Sequence, residues 1–450
     1  MKFLNNINHI HFIGIGGVSM SALAKICLSL NKTVSGTDDV YSSTIKELEN
    51  LGIKYYKNTP NEVLNNADLF VHTSAVPPSN NDMKYAQNCS TTQKHSIERA
   101  QFLGLLCQEF SNTIAISGTH GKTTTTAMLA FALQSISPTV HLGGMINNYG
   151  NLILGKHSFF ITEACEFNKS FLHIKPNVCI ITNTEKEHMD CYKNEQDLLN
   201  SFYQFAHQTK DLIVIQNNNP ILHNLRKSNA NITTFGLDNK ADIYATNITQ
   251  NNAKFSFDCI YNKTKLGTIN LNILGKHNIL NALACIAVSL HYGVEFEKIK
   301  QGLESFTGVE RRFEFLKHSP CTLIHDYAHH PTEIKASLAT AKLLKKNRIL
   351  CVFEPHTYSR TKSLMPEFLK CFNDADEVLL LPTYSAREKP IKGGSSFDIF
   401  LNLPDEINCQ YFINQIKLFN YLKQEVQPND LVIFLGAGTI GDFAKKFLEY

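Results

Sequence analysis

No stretch of this 450-residue chain is apolar enough for long enough to cross a bilayer. The 12 cysteines form no CxxC pair and follow no regular spacing, and Cys27, Cys179, Cys285 and Cys351 lie inside apolar runs. A disulfide framework is therefore not expected. The pattern fits free thiols used as small buried apolar groups in a reducing compartment. Excess charge is also missing: 43 Lys and Arg against 40 Asp and Glu leave a formal net charge of +3. That is too little for this length to attract nucleic acid or anionic lipid, so any anion binding must be local. No internal repeat and no low-complexity tract interrupts the chain. Its opening, MKFLNNINHI, is too polar for a signal-peptide core and runs straight into a strand. A cytoplasmic protein is expected, with neither nucleic acid nor membrane as partner.

What remains is ordinary globular composition, 43% apolar and 18% charged, at a length that allows about three domains. Short apolar strands alternate with helical patterns from end to end, which predicts an α/β fold with largely parallel sheets. The first unit, residues 1–109, opens with a strand over His9–Ile13, a loop containing Gly14, Gly16 and Gly17, a helix over 19–30 and a second strand ending in GTDD at 36–39. The second, 110–309, runs from another strand and glycine loop to the small-residue helix HNILNALACIAVSLHYG, with alternating short strands over 231–274 that suit an antiparallel edge. The third, 310–450, has strands ending at His325, Phe353, Leu381 and Leu435.

The most informative segment is TIAISGTHGKTTTTAMLA, residues 113–130. It reads as a buried strand, a loop of Gly118, Thr119, His120 and Gly121, and a helix opened by Lys122, Thr123 and Thr124. Loop N–H groups and the positive helix end suit phosphates, Lys122 can reach the β and γ groups, and the Thr123 hydroxyl can hold Mg²⁺. ATP is the expected ligand. The first glycine of the strict phosphate-loop pattern falls on Ile116, and Gly118 stands in its place. A plain strand-to-helix turn explains the glycines but not Lys122 and Thr123 at the head of an apolar helix.

Ligands of open parallel sheets sit beyond the carboxyl ends of the strands. Three strands of the middle unit end in Lys122 and Thr123, in Glu163 after FFIT, and in His188 after VCIITN. If these strands are parallel neighbours, Thr123, Glu163 and His188 meet as ligands of a phosphate-bound Mg²⁺. Asn278 and Asn281, three apart, share a helix face that suits the donor and acceptor edge of adenine, although Asn278 also fits a helix cap.

Two glycine fingerprints compete for a dinucleotide. Gly14-Ile-Gly16-Gly17-Val18-Ser19, with Asp38 at the distance of a ribose-binding acid, fits NAD, but the same turn and carboxylate fit UDP as well. The stricter match, Gly436-Ala-Gly438-Thr-Ile-Gly441, has too few residues after it for another strand and reads as a decoy. Near the carboxyl end, HDYAHHPTE places Asp326, Tyr327, His329 and His330 before a helix opened by Pro331. The helix dipole should keep these histidines neutral and favour anions. Zinc competes for the paired histidines, but no cysteine or third histidine stands nearby at ligand spacing. FEPHTYSRTK offers His356 and Arg360, and GVERRF offers Arg311 and Arg312.

Taken in order, GIGGVSMSALA, SGTDD, GTHGKTTTTAM, EACEFNKSF, NTEKEHMDCY, GKHNILNALA, GVERRFEF, DYAHHPTE and EPHTYSRT resemble the Mur ligase family of peptidoglycan synthesis, in the branch that joins L-alanine to UDP-N-acetylmuramate. The resemblance spans essentially the whole chain. It implies three α/β domains with mostly parallel sheets: a Rossmann-like UDP-sugar-binding domain at 1–109, a P-loop ATP-binding domain at 110–309, and a Rossmann-like domain at 310–450 that brings the amino acid. It implies ATP and Mg²⁺, an acyl-phosphate intermediate, and a monomer or homodimer. By the same likeness Gly14, Gly16, Gly17, Val18, Ser19, Asp38 and Ser74 face the UDP-sugar. Lys122, Thr123, Glu163 and His188 face phosphates and metal, Asn278, Asn281, Arg312 and Asp326 the adenosine, and Tyr327, His329 and Arg360 the alanine. Lys122, His188, His329 and Arg360 are the implied catalytic set. Two departures stand out: Cys165 and Asn168 interrupt an acidic run usual in relatives, and Thr357 stands where many have arginine. A sister ligase joining a preformed peptide, an NAD-dependent dehydrogenase and a non-catalytic nucleotide-binding regulator are the rival readings.

Overall fold

Among the described residues, twenty-one strands form three sheets, and strands that end side by side bring motif residues to common rims. The computed structural model describes residues 3–89, 95–147, 149–189, 191–225 and 228–449. It divides into two compact units. The first comprises Met1–Thr184, Leu199–Thr234 and Ala284–Ile299; the second comprises Glu185–Leu198, Phe235–Leu283 and Lys300–Tyr450.

In the first unit, β1 (His9–Ile13), β2 (Thr33–Thr37), β3 (Lys54–Tyr56), β4 (Leu69–His72) and β5 (His95–Glu98) form an all-parallel sheet in the order β3-β2-β1-β4-β5. β1 is buried on both faces, as a central parallel strand covered by helices should be. The helix after it, Val18–Ser29, is preceded by Gly17 in extended conformation.

The larger sheet follows with β6 (Asn112–Ser117), β7 (Pro138–Ile146), β8 (Gly150–Ile153), β9 (Lys156–Glu163), β10 (Val178–Ile181), β11 (Leu212–Gln216) and β12 (Asn231–Gly236), in the order β12-β11-β10-β6-β9-β7-β8. β6 pairs in parallel with both β9 and β10, with Ile116 opposite Glu163 and Ser117 opposite Ile181. The exits of these three strands therefore lie in one row.

In the second unit Phe235 and Gly236 pair with β13 (Ile243–Asn251), which continues into an antiparallel meander with β14 (Lys254–Tyr261) and β15 (Thr264–Leu274). The strands are not short, as the sequence suggests, but 9, 8 and 11 residues long. The reason is the turns. Asn252-Ala253 and Asn262-Lys263 all take positive φ, the backbone of tight hairpins that match strand twist, so each strand runs uninterrupted to its turn.

The remaining sheet comprises β16 (Glu314–Lys317), β17 (Thr322–Asp326), β18 (Ile349–Phe353), β19 (Glu377–Leu380), β20 (Cys409–Tyr411) and β21 (Leu431–Leu435), in the order β16-β17-β21-β18-β19-β20. Only β16 runs antiparallel to its neighbour. Strand alternation splits its core cleanly in two. Cys351, Phe353, Ile433 and Leu435 pack on one face, and Leu350, Val352, Val432 and Phe434 on the other.

All cysteines with described side chains are free, and most are buried, as their apolar surroundings predict. No described helix is long and apolar enough to cross a membrane.

Packing is tight where the helix Arg99–Cys107 crosses the turn at His173: a Cβ added to Gly104 would lie 2.2 Å from the His173 carbonyl oxygen. Helix propensity alone would reward Gly104→Ala by about 1 kcal/mol, whereas overpacking against backbone costs about 1–3 kcal/mol. The clash should win. Gly104→Ala is expected to lower the urea midpoint, and a raised midpoint would show that the contact relaxes freely.

Candidate functional site

Two groups of polar side chains gather at strand exits, one in each unit. The first begins where β6 leaves the larger sheet. Gly118 has φ +139°, a region closed to most side chains, and a Cβ there would come 2.0 Å from Thr182 Oγ1. Gly121, at φ +81°, immediately precedes the helix Lys122–Ala132. Between them the loop is held by the exit of β10. Thr119 N–H donates to the Asn183 carbonyl (3.2 Å), and His120 N–H donates to Asn183 Oδ1 (2.9 Å). The His120 carbonyl accepts from Thr182 Oγ1 (2.6 Å) and from Asn183 Nδ2 (3.1 Å).

Lys122 Nζ donates to both carboxylate oxygens of the buried Glu166, at 3.0 and 2.8 Å, and to the carbonyls of Gly118 and Thr119. Burial opposes the ammonium, but Glu166 outweighs it and the lysine pKa is raised. One residue on, Thr123 Oγ1 donates to Glu163 Oε2 at 3.0 Å, and the other oxygen of Glu163 accepts from Gly143 N–H at 2.6 Å. Thr124 lies in the same first turn. A carboxylate and a hydroxyl this close form a hard-oxygen pair of the kind Mg²⁺ takes alongside phosphate oxygens, and the helix N-terminus beside them favours the phosphates. The residues present fit that ion. His188 belongs to the second unit, with φ +57°, and its N–H donates to Glu187 Oε1 at 3.0 Å.

A cavity of about 420 Å³ opens beside the first glycine loop, lined among others by Gly14, Gly17, Val18, Ser19, Asp38 and Arg99. Gly16 does not line it; its N–H donates to Asp38 Oδ2 at 2.9 Å, so the acid also fixes the loop. Ser74 is exposed between Thr73 and Ala75, both of which line the cavity.

In the second unit the sequence-predicted residues are joined by two carboxylates. Glu187 accepts from Arg360 Nε at 2.9 Å; burial alone would raise its pKa, but Arg360, His188, His329 and His330 hold it down to about 2. Arg360 also donates to His356 Nδ1 at 3.0 Å, and His356 stacks on Tyr384. Glu333 accepts from His329 N–H at 3.1 Å and lies 3.6 Å from Arg312 Nη1. Arg311 and Arg312 both stand over the Tyr327 ring, at 4.9 and 5.0 Å. His329 Nδ1 lies 2.9 Å from the Tyr327 carbonyl, which can only accept, so Nδ1 carries the proton and Nε2 the lone pair. Burial, then Arg360, lowers its pKa to about 3. His330 caps the helix Pro331–Lys342 by accepting from Thr332 N–H, and its Nε2 donates to the Lys186 carbonyl at 3.2 Å. Burial lifts the Asp326 pKa to about 6; the carboxylate accepts from Ser337 Oγ and Ala328 N–H. Asn278 Nδ2 donates to the Leu274 carbonyl (2.7 Å), and Asn281 Nδ2 donates to Asn278 Oδ1 (2.9 Å). Asn278 is thus the second residue of its helix, not the cap.

The second glycine fingerprint is already filled. Glu354 accepts from Thr439 Oγ1 (2.7 Å) and Ile440 N–H (3.1 Å), so a carboxylate stands where a pyrophosphate would bind. Sequence reasoning gave no role to Thr182, Asn183, Glu166, Glu187 or Glu333, although all but Thr182 lie inside segments that carry the resemblance; their signal is position, within a few residues of a strand exit or helix start already singled out.

Three stretches match family models: residues 9–111 the Mur ligase family catalytic domain, 116–289 the Mur ligase middle domain, and 311–438 the Mur ligase glutamate ligase domain. The chain is 43% identical to a UDP-N-acetylmuramate–L-alanine ligase of Clostridium tetani, with 99% of each covered. It is 40% identical to a ligase of the same name from Clostridium novyi, over 99% of this chain and 98% of the relative. Among solved structures it is similar to the UDP-N-acetylmuramate-alanine ligase of Thermotoga maritima, with a TM-score of 0.79, 29% identity and 99% of both chains covered.

Burial lowers four histidines of the second unit, His277, His325 and His356 to about 4 and His329 to about 3. Their folded values lie below that of an unfolded histidine, about 6.5, so between pH 6.5 and 4 the unfolded chain binds more protons and stability falls with pH. Asp326, raised to about 6, acts in the opposite sense over much of that window but is a single group. The urea midpoint is expected to drop from pH 7 to pH 5; a flat or rising profile would contradict the burial of neutral imidazoles.

Proposed function

Because the chain belongs to the Mur ligase family, we propose that it joins L-alanine to the lactyl carboxylate of UDP-N-acetylmuramate, with ATP converted to ADP and phosphate. The observation that carries the reading is the phosphate loop, with Lys122 and Thr123 at the head of a helix and Glu163 3.0 Å from Thr123. Full-length identity of about 40% to ligases of that name supports the choice of substrates. The division at 1–109, 110–309 and 310–450 belongs to the same proposal, supported by three sheets that fall within those limits.

In this mechanism a carboxylate oxygen of the sugar nucleotide attacks the γ-phosphorus and ADP leaves. The amine of alanine then attacks the acyl carbon, phosphate leaves and the amine gives up its proton. Such chemistry depends on positioning and charge neutralisation rather than a covalent protein nucleophile. The loop Gly118, Thr119, His120 and Gly121 and the helix start at Lys122 and Thr124 receive the phosphates, through Lys122 Nζ and N–H groups other than those of Thr119 and His120, which Asn183 already engages. Thr123 and Glu163 would hold Mg²⁺, which neutralises phosphate charge when bound; the assignment of His188 as a further ligand rests on the resemblance. Asn278, Asn281, Arg312 and Asp326 take the adenosine. Gly14, Gly16, Gly17, Val18, Ser19, Asp38 and Ser74 take the UDP-sugar. Tyr327, His329 and Arg360 take alanine, with His329 Nε2, the ring's lone-pair nitrogen, available for the amine proton.

One assay of phosphate release, omitting each substrate in turn, tests the reading. Release is expected only with ATP, UDP-N-acetylmuramate and L-alanine together, and not with a tripeptide in place of alanine. Phosphate release with ATP, UDP-N-acetylmuramate and the tripeptide, but not with alanine in its place, would favour the sister ligase. Lys122→Ala is expected to cut ADP formation by on the order of 10²–10³ or more, the usual scale for loss of a charge-stabilising donor, while Cys165→Ala leaves it nearly unchanged. Full turnover in the lysine variant would overturn the phosphate assignment. Arg360→Ala should raise the KM for alanine while ATP binding holds; an unchanged KM would remove Arg360 from the alanine side.

A further inference from the structure

A hydrogen-bond chain, buried at its centre, connects the sugar-nucleotide cavity to the strand that carries Glu163. Ser19, in the first turn of the helix Val18–Ser29, lines the cavity. Its Oγ lies 3.0 Å from His141 Nε2 on β7 and 3.4 Å from Arg99 Nη1, a long contact that leaves much of the guanidinium to the cavity Arg99 also lines. The other ring nitrogen, His141 Nδ1, lies 2.9 Å from Thr162 Oγ1 on β9, and that hydroxyl lies 3.2 Å from the Glu163 carbonyl oxygen.

The direction of each bond follows from chemistry. A carbonyl only accepts, so the one proton of Thr162 points to Glu163 and Thr162 accepts from His141 Nδ1–H. Nε2 then carries the lone pair and accepts from the Ser19 hydroxyl, while Ser19 accepts from Arg99, which only donates. All four bonds run one way, from a cavity-facing cation to the peptide group of Glu163. His141 is only 4% exposed and Thr162 fully buried, so neither has water to replace a lost partner. Burial also lowers the His141 pKa to about 4, which keeps the acceptor nitrogen unprotonated at neutral pH. A histidine satisfied only by its own strand would be ordinary core. This one bridges two elements, each of which presents a group to a different candidate pocket.

We infer that His141 is a positioning residue for the ligation: it locks the Ser19 hydroxyl and the Glu163 strand into one register, so that filling the sugar-nucleotide cavity is felt at the nucleotide pocket. The inference rests on the proposed assignment of those two pockets. Thr123, bonded to Glu163 Oε2, is the last link on the nucleotide side.

The test is the coupling between ligands in the full chain, measured by calorimetric titration of a non-hydrolysable ATP analogue with Mg²⁺, in the presence and absence of UDP-N-acetylmuramate. In the unaltered protein each ligand should tighten the other fivefold or more, within the usual range of coupling. Thr162→Val, which keeps shape and removes the hydroxyl, should reduce the coupling to less than twofold. His141→Leu should do the same, and the double variant should lose no more than either alone. His141→Gln, which again offers a donor and an acceptor, should keep threefold or more. An unchanged urea midpoint for Thr162→Val would separate this loss from general destabilisation. Coupling that survives Thr162→Val, or that is below twofold in the unaltered protein, overturns the role of His141 while leaving the pocket assignment standing. If neither ligand binds the unaltered chain, the assignment and the inference fall together.

Discussion

The loop from Gly118 to Gly121 is held by hydrogen bonds to the neighbouring strand exit. Asn183 and Thr182, leaving β10, contact it at Thr119 and His120 on both donor and acceptor sides. A loop N–H that is to meet a phosphate must already point the right way, because reorganisation at the moment of binding would cost part of the affinity. Parallel pairing of β6 with β10 makes this possible, since it brings the two exits level. The same pairing rule sets Glu163 level with Ile116, and hence within reach of Thr123 one turn further on. Register in the sheet is thus the cause of the pocket.

Charge is handled by pairing in both units. Lys122 is partly buried and remains an ammonium because Glu166 faces it with both oxygens. Arg360 and Glu187 do the same in the second unit, and the neighbouring histidines stay neutral because they are buried beside a guanidinium. Such pairs are costly to break and modest in net stability. Their place here is to hold charged groups still beside strand exits and helix starts.

Much of this was legible in the sequence because it is local. Glycine before Lys-Thr at a helix start, strands ending in polar residues, and Pro331 after paired histidines each follow from the chemistry of a few adjacent residues. The sheets were legible for the same reason, from strand and helix alternation. What could not be read was pairing at long range. Glu166 looks like a remnant of an interrupted acidic run, yet it is the partner of Lys122. Glu187 is hidden by the more conspicuous His188, and Asn183 by the strand before it. Glu354 occupies the second glycine loop with its own carboxylate, a partner that the fingerprint's spacing does not reveal. Asp38 shows the limit from the other side: its spacing suggests a ligand contact, and the fold also uses it to tie down Gly16. A side chain's second role is invisible until its neighbour in space is known.

On the proposed reading, Thr123 and Glu163 together create a magnesium-dependent nucleotide pocket at the exits of β6 and β9. The direct measurement is ATP affinity of Glu163→Gln and of the unaltered protein, each titrated with Mg²⁺ and with EDTA. The unaltered protein is expected to bind ATP at least tenfold more tightly with Mg²⁺, and Glu163→Gln to lose this gain while still binding the nucleotide. A variant that keeps the full magnesium-dependent gain would contradict that reading.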